Sequence, residues 1–508
     1  MNRSDAVWLT LWLAATLLEC LRLSWGRQFW SDEIFGWVMA RDPSLRHMFA
    51  AWRLGADGGG IFYYLTVRAW MDVFGDSALA LRMFTAFCMG VALALTWVTS
   101  RRWYRLEVVA VSLPFCWFTA HSMLRQMMVG RFYGLLMAAV AGAVLCYCVT
   151  AEEVSLSLPK LGAVFAAHCF LVGVHPFGLL YSAAVIAAMI ASDVFQRRWR
   201  PWLYSAAIAG WWILWPSRAA MSASAAVGKP HFWTTTPVLG DLCDALAFWT
   251  DEIQWLGLFI LFCIAVRWFI IRRTKRPTQM ETVDSPALVI GIALVAVIPA
   301  LWIVSLHGTS YFVDRYLLPT IIGAALLLCA ALERLVPAQR PAWLSWSVGC
   351  AVLATAAGTV WGAVWDMPNF YKVPPHSYTS RMASLLPRNV PVVVERVDIF
   401  AESIVAEPEI SLNYLLDWET VLSPKSLRGE VSGYHEMKNW QISGYYASAI
   451  QPSEQFLAQQ REFWVVSDPS ELWFAHRVQN NPAFTVERVG EFRRESDVET
   501  IWHVRRKD

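Results

Sequence analysis

The chain has 508 residues, of which 56% are hydrophobic and 16% charged, so it is too apolar to be one soluble domain. Its formal net charge of +2 gives no electrostatic reason to expect a nucleic-acid partner. All of its ten cysteines except Cys243 lie in apolar runs, which argues against a disulfide framework or a cysteine-based metal site. The composition therefore indicates an integral membrane protein surrounded by membrane lipid.

Apolar runs along the chain predict about eleven membrane-spanning helices, because one span needs about 20 mostly apolar residues. The first run has no small-x-small cleavage site, so we interpret it as a retained span and not as a signal peptide. The predicted spans cover residues 7–24, 79–99, 106–120, 132–149, 160–174, 177–192, 202–217, 253–271, 286–306, 314–332 and 343–364.

Basic residues between the spans predict their orientation. Arginine and lysine cluster at 101–105, 197–200, 272–276 and 334–340. With a cytoplasmic N-terminus and the predicted number of spans, all of these clusters fall on the cytoplasmic side, as the positive-inside rule requires. The loop 25–78 and the C-terminal part of the chain then lie on the outer side.

The outer loop 25–78 is expected to contain helices of its own. Its apolar residues recur at helical spacing and Pro43 breaks the pattern, which favours a pair of amphipathic helices at the membrane surface. The piece 61–75 is apolar but contains Arg68 and Asp72, which favours a re-entrant or interfacial segment over a span.

The chain changes character after its last predicted span. From Asn369 onward it is polar, with strand-like apolar stretches such as VPVVVERV, EFWVVSD and ETIWHVR. We expect residues 370–508 to form a small α/β soluble domain on the outer side, after a transmembrane domain of residues 1–365. The predicted fold is an α-helical polytopic membrane protein with a C-terminal α/β domain outside the membrane.

Charged residues near the outer ends of the spans suggest a chemistry. Two adjacent acids, Asp32 and Glu33, follow the first span within FWSDEIFGW, and later outer segments supply several cations. Arginines can stabilise a phosphate leaving group, and a carboxylate can act as base for an attacking hydroxyl. This combination fits transfer of a sugar from a polyprenyl phosphate to an acceptor hydroxyl. Other charged or polar residues assigned to this side are Asp57, Arg82, Arg125, Arg131, His175, Lys229, His231, Asp251, Glu252, His307, Asp314 and Arg315.

Several segments in a fixed order carry a family resemblance: WSDEIFGW, FYYLTVRAW, FGDSALALRMFTA, GRFYGLLMA, HFWTTTPVLGDL and DRYLLP. Over residues 1–335 the sequence resembles the C-type (GT-C) glycosyltransferases, specifically the protein O-mannosyltransferase and lipid A aminoarabinose transferase group and their bacterial relatives. The resemblance implies a GT-C fold and inverting hexosyl or pentosyl transfer from a polyprenyl-phosphate sugar to a lipid, glycan or protein acceptor. It also implies a bacterial inner membrane, with the reaction on the outer face.

The resemblance assigns roles to particular residues. Asp32 matches the family's catalytic base, and Glu33 matches the neighbour that orients the acceptor or holds the loop. Two arginine–tyrosine motifs of the family supply candidates for binding the lipid phosphate, which favours a forked donor. In this sequence they correspond to Arg131 with Tyr133 and to Arg315 with Tyr316.

The chain departs from the family pattern before its paired tyrosines. Relatives often carry His-Pro-Pro where this sequence has Gly59, Gly60 and Ile61, and the run DGGG predicts a flexible backbone instead of a rigid turn. Asp57 is therefore a candidate for metal or acceptor binding. The sequence assigns no cofactor, and a divalent metal ion remains one alternative. Further candidate substrate-binding residues are Tyr63, His175, Lys229 and His231.

These residues also have purely structural interpretations. The acid pair could cap a helix, and Arg131 could extend from a helix end to the interface. Arg82 is interpreted as the ion-pair partner of Asp76 or Asp72, which are close to it in sequence.

Two other functions compete with sugar transfer. A transporter needs polar access from both sides, whereas ionisable residues are few within the predicted spans and cluster at one side. A non-catalytic membrane scaffold with an outer binding domain explains the polar C-terminal part but not the ordered motifs.

Overall fold

The computed structural model of the chain describes residues 3–151, 153, 156–218, 234–247, 286–307, 310–335, 378–421, 430–468, 473–494 and 497–507. The predicted spans 253–271 and 343–364, and the candidate residues Lys229 and His231, lie outside the described residues. The number of about eleven spans and the boundary between the two predicted domains therefore stay predictions.

The described part of the chain up to residue 335 is helical. Its helices are α1 (Arg3–Ser24), α2 (Ser31–Ala40), α3 (Leu45–Leu54), α4 (Ile61–Phe74), α5 (Ala78–Ser100), α6 (Leu106–Thr119), α7 (His121–Met127), α8 (Tyr133–Thr150), α9 (Leu158–Val174), α10 (Gly178–Phe195), α11 (Pro201–Ala209), a 3-10 helix (Gly210–Ser217), α12 (Leu239–Ala247), α13 (Pro286–Val295), α14 (Val297–His307), α15 (Asp314–Leu317) and α16 (Thr320–Leu335). Of these, α1, α5, α8, α10 and the consecutive pair α13–α14 are long and apolar enough to cross a membrane. Helices α6 and α9 are apolar but shorter. The expectation of a largely helical integral membrane protein is confirmed.

The predicted span 314–332 is interrupted near its start. Helix α15 ends at Leu317 and α16 begins at Thr320, with Pro319 between them. Leu318 keeps helical dihedral angles, but Pro319 lacks the backbone N–H that would continue the hydrogen-bond pattern, so the α-helix is interrupted here. The break leaves Arg315 on a short separate turn ahead of the long helix.

The outer loop 25–78 contains α2, α3 and α4, and the predicted break at Pro43 is confirmed. Ser44 caps α3, because its hydroxyl accepts a hydrogen bond from the His47 backbone N–H at 3.3 Å. Helix α3 ends at Gly55, whose φ of 78° lies in the left-handed region that glycine adopts without strain. The position of these helices relative to the membrane stays a prediction.

A mixed β-sheet with flanking helices lies in the described residues after 377. The elements are α17 (Tyr378–Leu385), β1 (Val392–Val394), α18 (Val397–Ala406), β2 (Leu412–Leu416), α19 (Trp418–Val421), α20 (Glu430–Ser443), β3 (Ile450–Pro452), α21 (Ser453–Gln459), β4 (Glu462–Ser467), α22 (Phe474–Gln479), β5 (Phe484–Arg494) and β6 (Asp497–Arg506). The strand order in the sheet is β3-β2-β1-β4-β6-β5. Strands β3, β2, β1 and β4 are parallel neighbours, whereas β6 is antiparallel to both β4 and β5. Strand β1 is buried throughout, as expected for a parallel strand covered on both faces.

Helices of this sheet region pack directly on the outer loop. The Ser31 backbone N–H, at the start of α2, donates to Oε1 of Glu402 in α18 at 3.1 Å. In α20, Nε1 of Trp440 donates to the Ala56 carbonyl at 3.0 Å. These contacts lie directly beside Asp32 and Asp57, two of the candidate acids.

Candidate active site

Glu33 anchors the start of α2 inside the protein. Its side chain is 1% exposed, and Oε2 accepts the Trp30 backbone N–H at 2.9 Å. Oε2 also accepts from Nη2 of Arg82 at 2.6 Å, and Oε1 accepts from Nε of the same arginine at 2.8 Å. A further hydrogen bond runs from the Gly130 N–H to Oε1, at 2.6 Å. Glu33 thus ties the outer loop to α5 and to the turn before α8. This geometry supports the loop-holding role of Glu33 and not direct catalysis.

The partner of Arg82 differs from the sequence prediction. Arg82 pairs with Glu33, whereas Asp76 pairs with Arg41 at 3.1 Å on the surface. Arg82 Nη2 also donates to the Gln28 carbonyl at 2.6 Å. The prediction of a partner close in sequence is wrong, because Glu33 lies 49 residues away and is brought in by the fold.

Asp32 faces a different environment from its neighbour. Its side chain is 30% exposed, and Oδ2 lies 3.2 Å from Nη1 of Arg315. The side chains of consecutive helical residues point about 100° apart, which explains why Glu33 is buried while Asp32 is partly exposed to solvent. Arg131 Nη1 donates to the Asp32 backbone carbonyl at 2.6 Å. Asp32 is therefore an accessible carboxylate bordered by arginines from two distant segments.

Asp57 is the buried partner of Arg131. Its carboxylate oxygens lie 3.1 and 3.2 Å from Nη1 of Arg131, and it accepts from the Tyr64 hydroxyl at 2.8 Å. Burial alone would lower the pKa of Arg131, but Asp57 and Asp32 outweigh burial and hold that pKa well above its ordinary value. The buried Nε of Arg131 has no hydrogen-bond partner among the described residues. Arg131 is thus a fixed cation with an unused N–H group.

Gly59 and Gly60 allow the outer loop to approach α9 closely. The Gly60 N–H donates to the Val174 carbonyl at 2.8 Å, and a Cβ on Gly60 would lie 2.1 Å from the Gly173 carbonyl oxygen. A Cβ on Gly59 would lie 2.5 Å from the Tyr64 hydroxyl. Gly60 is thus needed for a tight backbone contact and Gly59 for a close contact with the Tyr64 side chain, whereas the flexibility of the run stays a prediction.

His175 belongs to a stack of rings beside the arginines. Its ring lies 3.8 Å from that of Phe132, with 18° between the planes, and Phe177 stacks on Tyr316 at 4.2 Å. His175 Nδ1 accepts the Phe177 N–H at 3.1 Å, so the neutral ring carries its hydrogen on Nε2. Burial lowers the pKa of His175 well below its ordinary value, and two neighbouring arginines add to the effect. His175 is therefore a neutral hydrogen-bond donor.

The three candidate tyrosines occupy different positions. The Tyr63 hydroxyl donates to the Gly130 carbonyl at 3.0 Å, and the side chain is fully buried, which supports a packing role. The rings of Tyr133 and Tyr316 lie 6.4 Å apart. The guanidinium carbon of Arg315 lies 5.5 Å from the centroid of the Tyr316 ring. Tyr133 and Tyr316 are thus close to the arginine that faces Asp32.

Glu436 in α20 is a further group at this site, which sequence analysis missed. Its carboxyl group interacts electrostatically with Asp32, Asp57, Arg131 and Arg315. No spacing or motif marks it, because it lies in a polar helix far along the chain. Only the docking of α20 on the outer loop brings it to the site.

Within the described residues, no group of three or more His, Cys, Asp or Glu side chains is arranged to hold a metal ion. The carboxylate of Asp57, the candidate metal ligand, is engaged by Arg131 and Tyr64. A metal ion therefore has no assigned ligands in this part of the chain.

Solved structures identify the fold. The chain aligns with ArnT from Cupriavidus metallidurans in the apo state over 98% of both chains, with a TM-score of 0.64 and 13% sequence identity. It aligns with the same protein bound to undecaprenyl phosphate over 97% of this chain and 98% of that chain, with a TM-score of 0.58 and 12% identity. The chain therefore has the GT-C fold that the family resemblance predicted.

A third structure is less similar. The archaeal oligosaccharyltransferase AglB from Archaeoglobus fulgidus, solved with an inhibitory peptide and a dolichol-phosphate, aligns with 11% identity over 92% of this chain and 70% of that chain. The TM-score of this alignment is 0.45. No family profile and no curated protein sequence matches the chain.

Proposed function

We propose that this protein is an inverting membrane glycosyltransferase that moves a sugar from a polyprenyl-phosphate donor to an acceptor hydroxyl beside Asp32. The observation that carries the proposal is the position of Asp32, which is partly exposed and bordered by Arg131 and Arg315 within a GT-C fold. The similar fold of ArnT has been solved with undecaprenyl phosphate, which supports a polyprenyl phosphate as the carrier of the sugar.

Asp32 acts as the general base in this proposal. Its carboxylate takes the proton of the acceptor hydroxyl while the hydroxyl oxygen attacks the anomeric carbon of the sugar. The bond between that carbon and the phosphate oxygen breaks on the opposite face, and its electron pair leaves with the phosphate. A single displacement of this kind inverts the anomeric configuration.

Arg131 and Arg315 stabilise the leaving phosphate. A phosphate leaving group needs no proton, but negative charge develops on it in the transition state. Guanidinium groups present N–H donors in a planar fork that matches phosphate oxygens. The Nε2–H of His175 is a further donor in the same region.

Glu33 is a positioning residue in this proposal. It fixes the first turn of α2 through Arg82 and the turn at Gly130, and so determines where Asp32 lies. Tyr133 and Tyr316 border the proposed phosphate site. Tyr63 stabilises the turn at Gly130, because its hydroxyl donates a hydrogen bond to the Gly130 carbonyl.

We place the site on the outer face of a bacterial inner membrane. Arg131 and His175 precede α8 and α10, so the site lies at the N-terminal ends of these helices. Basic residues such as Arg101 and Arg198 follow the C-terminal ends of α5 and α10, at the opposite side. The positive-inside rule makes that side cytoplasmic, which supports a cytoplasmic N-terminus and an outer C-terminal region.

The test is a turnover assay with the purified full chain and a panel of undecaprenyl-phosphate-linked hexoses and pentoses. We expect release of undecaprenyl phosphate with one class of sugar, which would also decide between hexosyl and pentosyl transfer. The anomeric configuration of the product should be opposite to that of the donor. Retention of configuration would contradict the single displacement.

A further inference from the structure

Helix α20 is held firmly over the outer loop. Its Trp440 donates to the Ala56 carbonyl at 3.0 Å, and Nδ2 of Asn439 donates to the Gly55 carbonyl, also at 3.0 Å. The Trp440 ring also packs edge-on against Phe35 of α2, with centroids 4.9 Å apart. The helix is thus fastened to the segment that ends at Asp57 and to the helix that carries Asp32.

Glu436 lies one helical turn before these anchoring residues. Positions three and four apart share a helix face, so Glu436 is on the same face as Asn439 and Trp440. That face is turned to the outer loop, which explains why the carboxyl group of Glu436 interacts electrostatically with Asp32 and Asp57.

The carboxyl group of Glu436 differs from the other acids of the site because no described residue forms a hydrogen bond or ion pair with it. Glu33 and Asp57 are both engaged in ion pairs, with Arg82 and Arg131 respectively. Among the described residues none forms a hydrogen bond or ion pair with Glu436, although its side chain is half-buried. A half-buried carboxyl group whose hydrogen-bonding capacity is unused can bind a ligand group that enters the site.

The charge state of Glu436 fits such a role. Burial raises the pKa of Glu436 to about 8, with Asp32 and Asp57 adding to the effect and Arg131 and Arg315 opposing it. At neutral pH the group is therefore mainly a protonated acid, which can donate one hydrogen bond and accept another. A hydroxyl group is the ligand chemistry that matches both roles.

We propose that Glu436 is a substrate-binding residue supplied by the C-terminal region, and that its carboxyl group binds a hydroxyl group beside Asp32. This inference rests on the proposed function, because the hydroxyl belongs either to the donor sugar or to the acceptor. It gives the sheet region a direct part in the site: α20 closes the space above Asp32 and contributes one recognition contact. Activity would then depend on the docking of α20 as well as on the helical part of the chain.

The test compares Glu436→Ala and Glu436→Gln in the purified full chain. We expect Glu436→Ala to raise the KM of one substrate about tenfold, which corresponds to the loss of one hydrogen bond. Glu436→Gln should retain most of the affinity, because its amide also donates and accepts. The KM of the wild type should rise above about pH 8, where Glu436 ionises, whereas that of Glu436→Gln should stay constant.

Three measurements separate the sources of the effect. An increased KM for the sugar-bearing donor assigns the contact to the sugar, and an increased KM for the acceptor alone assigns it to the acceptor. Undecaprenyl phosphate without a sugar should bind Glu436→Ala and the wild type equally, because the contact is not with phosphate. The control Ile442→Ala alters an exposed position of the same helix and should leave both KM values unchanged.

Unchanged KM values for both substrates in Glu436→Ala would overturn the inference. So would a matching loss of affinity for undecaprenyl phosphate, because it would reveal a general disturbance of the site. These outcomes are distinct from failure of the proposed function, in which the wild type itself turns over no polyprenyl-phosphate sugar.

Discussion

Oε2 of Glu33 lies 2.6 Å from Nη2 of Arg82, and the two side chains are only 1% and 4% exposed. The side chain of the adjacent Asp32 is partly exposed, and its carboxylate faces Arg315 instead. The two neighbouring acids of this motif therefore occupy different environments: Glu33 is buried in an ion pair, and Asp32 is accessible. The buried ion pair holds the start of α2, and the partly exposed carboxylate of Asp32 is the one that acts on the substrate in the proposed mechanism.

Breaking this ion pair should destabilise the protein strongly. Arg82→Ala leaves the Glu33 carboxylate buried without its cation, which costs about 3–5 kcal/mol of stability. We expect a clear fall in the thermal unfolding midpoint in detergent. Arg41→Ala is the matched control, because its pair with Asp76 is about half-exposed and such pairs contribute at most about 1 kcal/mol. Equal midpoints for the two variants would contradict the structural role of Glu33.

The glycine run offers a second matched comparison. Gly60→Ala places a Cβ against the backbone of Gly173, so it should separate the loop from α9 and cost at least about 1–3 kcal/mol. A Cβ on Gly58 meets nothing within 4 Å, so Gly58→Ala should be tolerated. Thermal midpoints and donor turnover of both variants test this expectation. If Gly60→Ala behaved like Gly58→Ala, the close contact would be refuted.

Phosphate binding should depend on Arg315. Arg315→Ala removes a cation from the region next to Asp32, so we expect the affinity for undecaprenyl phosphate to fall about tenfold to a hundredfold. Arg46→Ala removes an exposed arginine of the outer loop and serves as the control. The affinities can be measured by titration with undecaprenyl phosphate in detergent micelles. Loss of affinity in both variants, or in neither, would argue against a phosphate site at Arg315.

Protonation of Glu436 should make stability depend on pH. The folded protein holds this proton up to about pH 8, whereas an ordinary glutamate releases it near pH 4.5. The stabilisation is therefore complete below about pH 4.5 and is lost as the pH rises through about 8. The wild-type unfolding midpoint should fall relative to that of Glu436→Gln across this range. Parallel curves for the two proteins would show that Glu436 titrates normally.

The helical part of the fold could be predicted from sequence, because apolar runs as long as those of α5 and α8 are typical of membrane-spanning helices. The strand ETIWHVR was also accessible and lies in β6. The interruption near the start of the predicted span 314–332 was not predicted, because the effect of Pro319 on a helix depends on its surroundings. Asp32 stood out because two acids directly after a span are unusual.

The contacts that define the site could not be predicted in the same way. The pairing of Glu33 with Arg82 joins residues with nearer alternatives in sequence, and only the fold selects between them. The close backbone contact of Gly60 was also not predictable, because sequence does not reveal which backbone lies against a glycine. Glu436 belongs to no motif, and its proposed role follows only from where α20 docks.

The central claim is tested most directly by donor turnover in Asp32→Asn compared with the wild type, using the polyprenyl-phosphate sugar that the wild type accepts. Loss of a general base should lower turnover on the order of 10²–10⁴-fold, with an unchanged unfolding midpoint. Asp76→Asn changes a surface acid and should keep full turnover. Undiminished turnover in Asp32→Asn would contradict the account of the site. A wild type that turned over no donor but moved one across liposomes would instead establish a transporter.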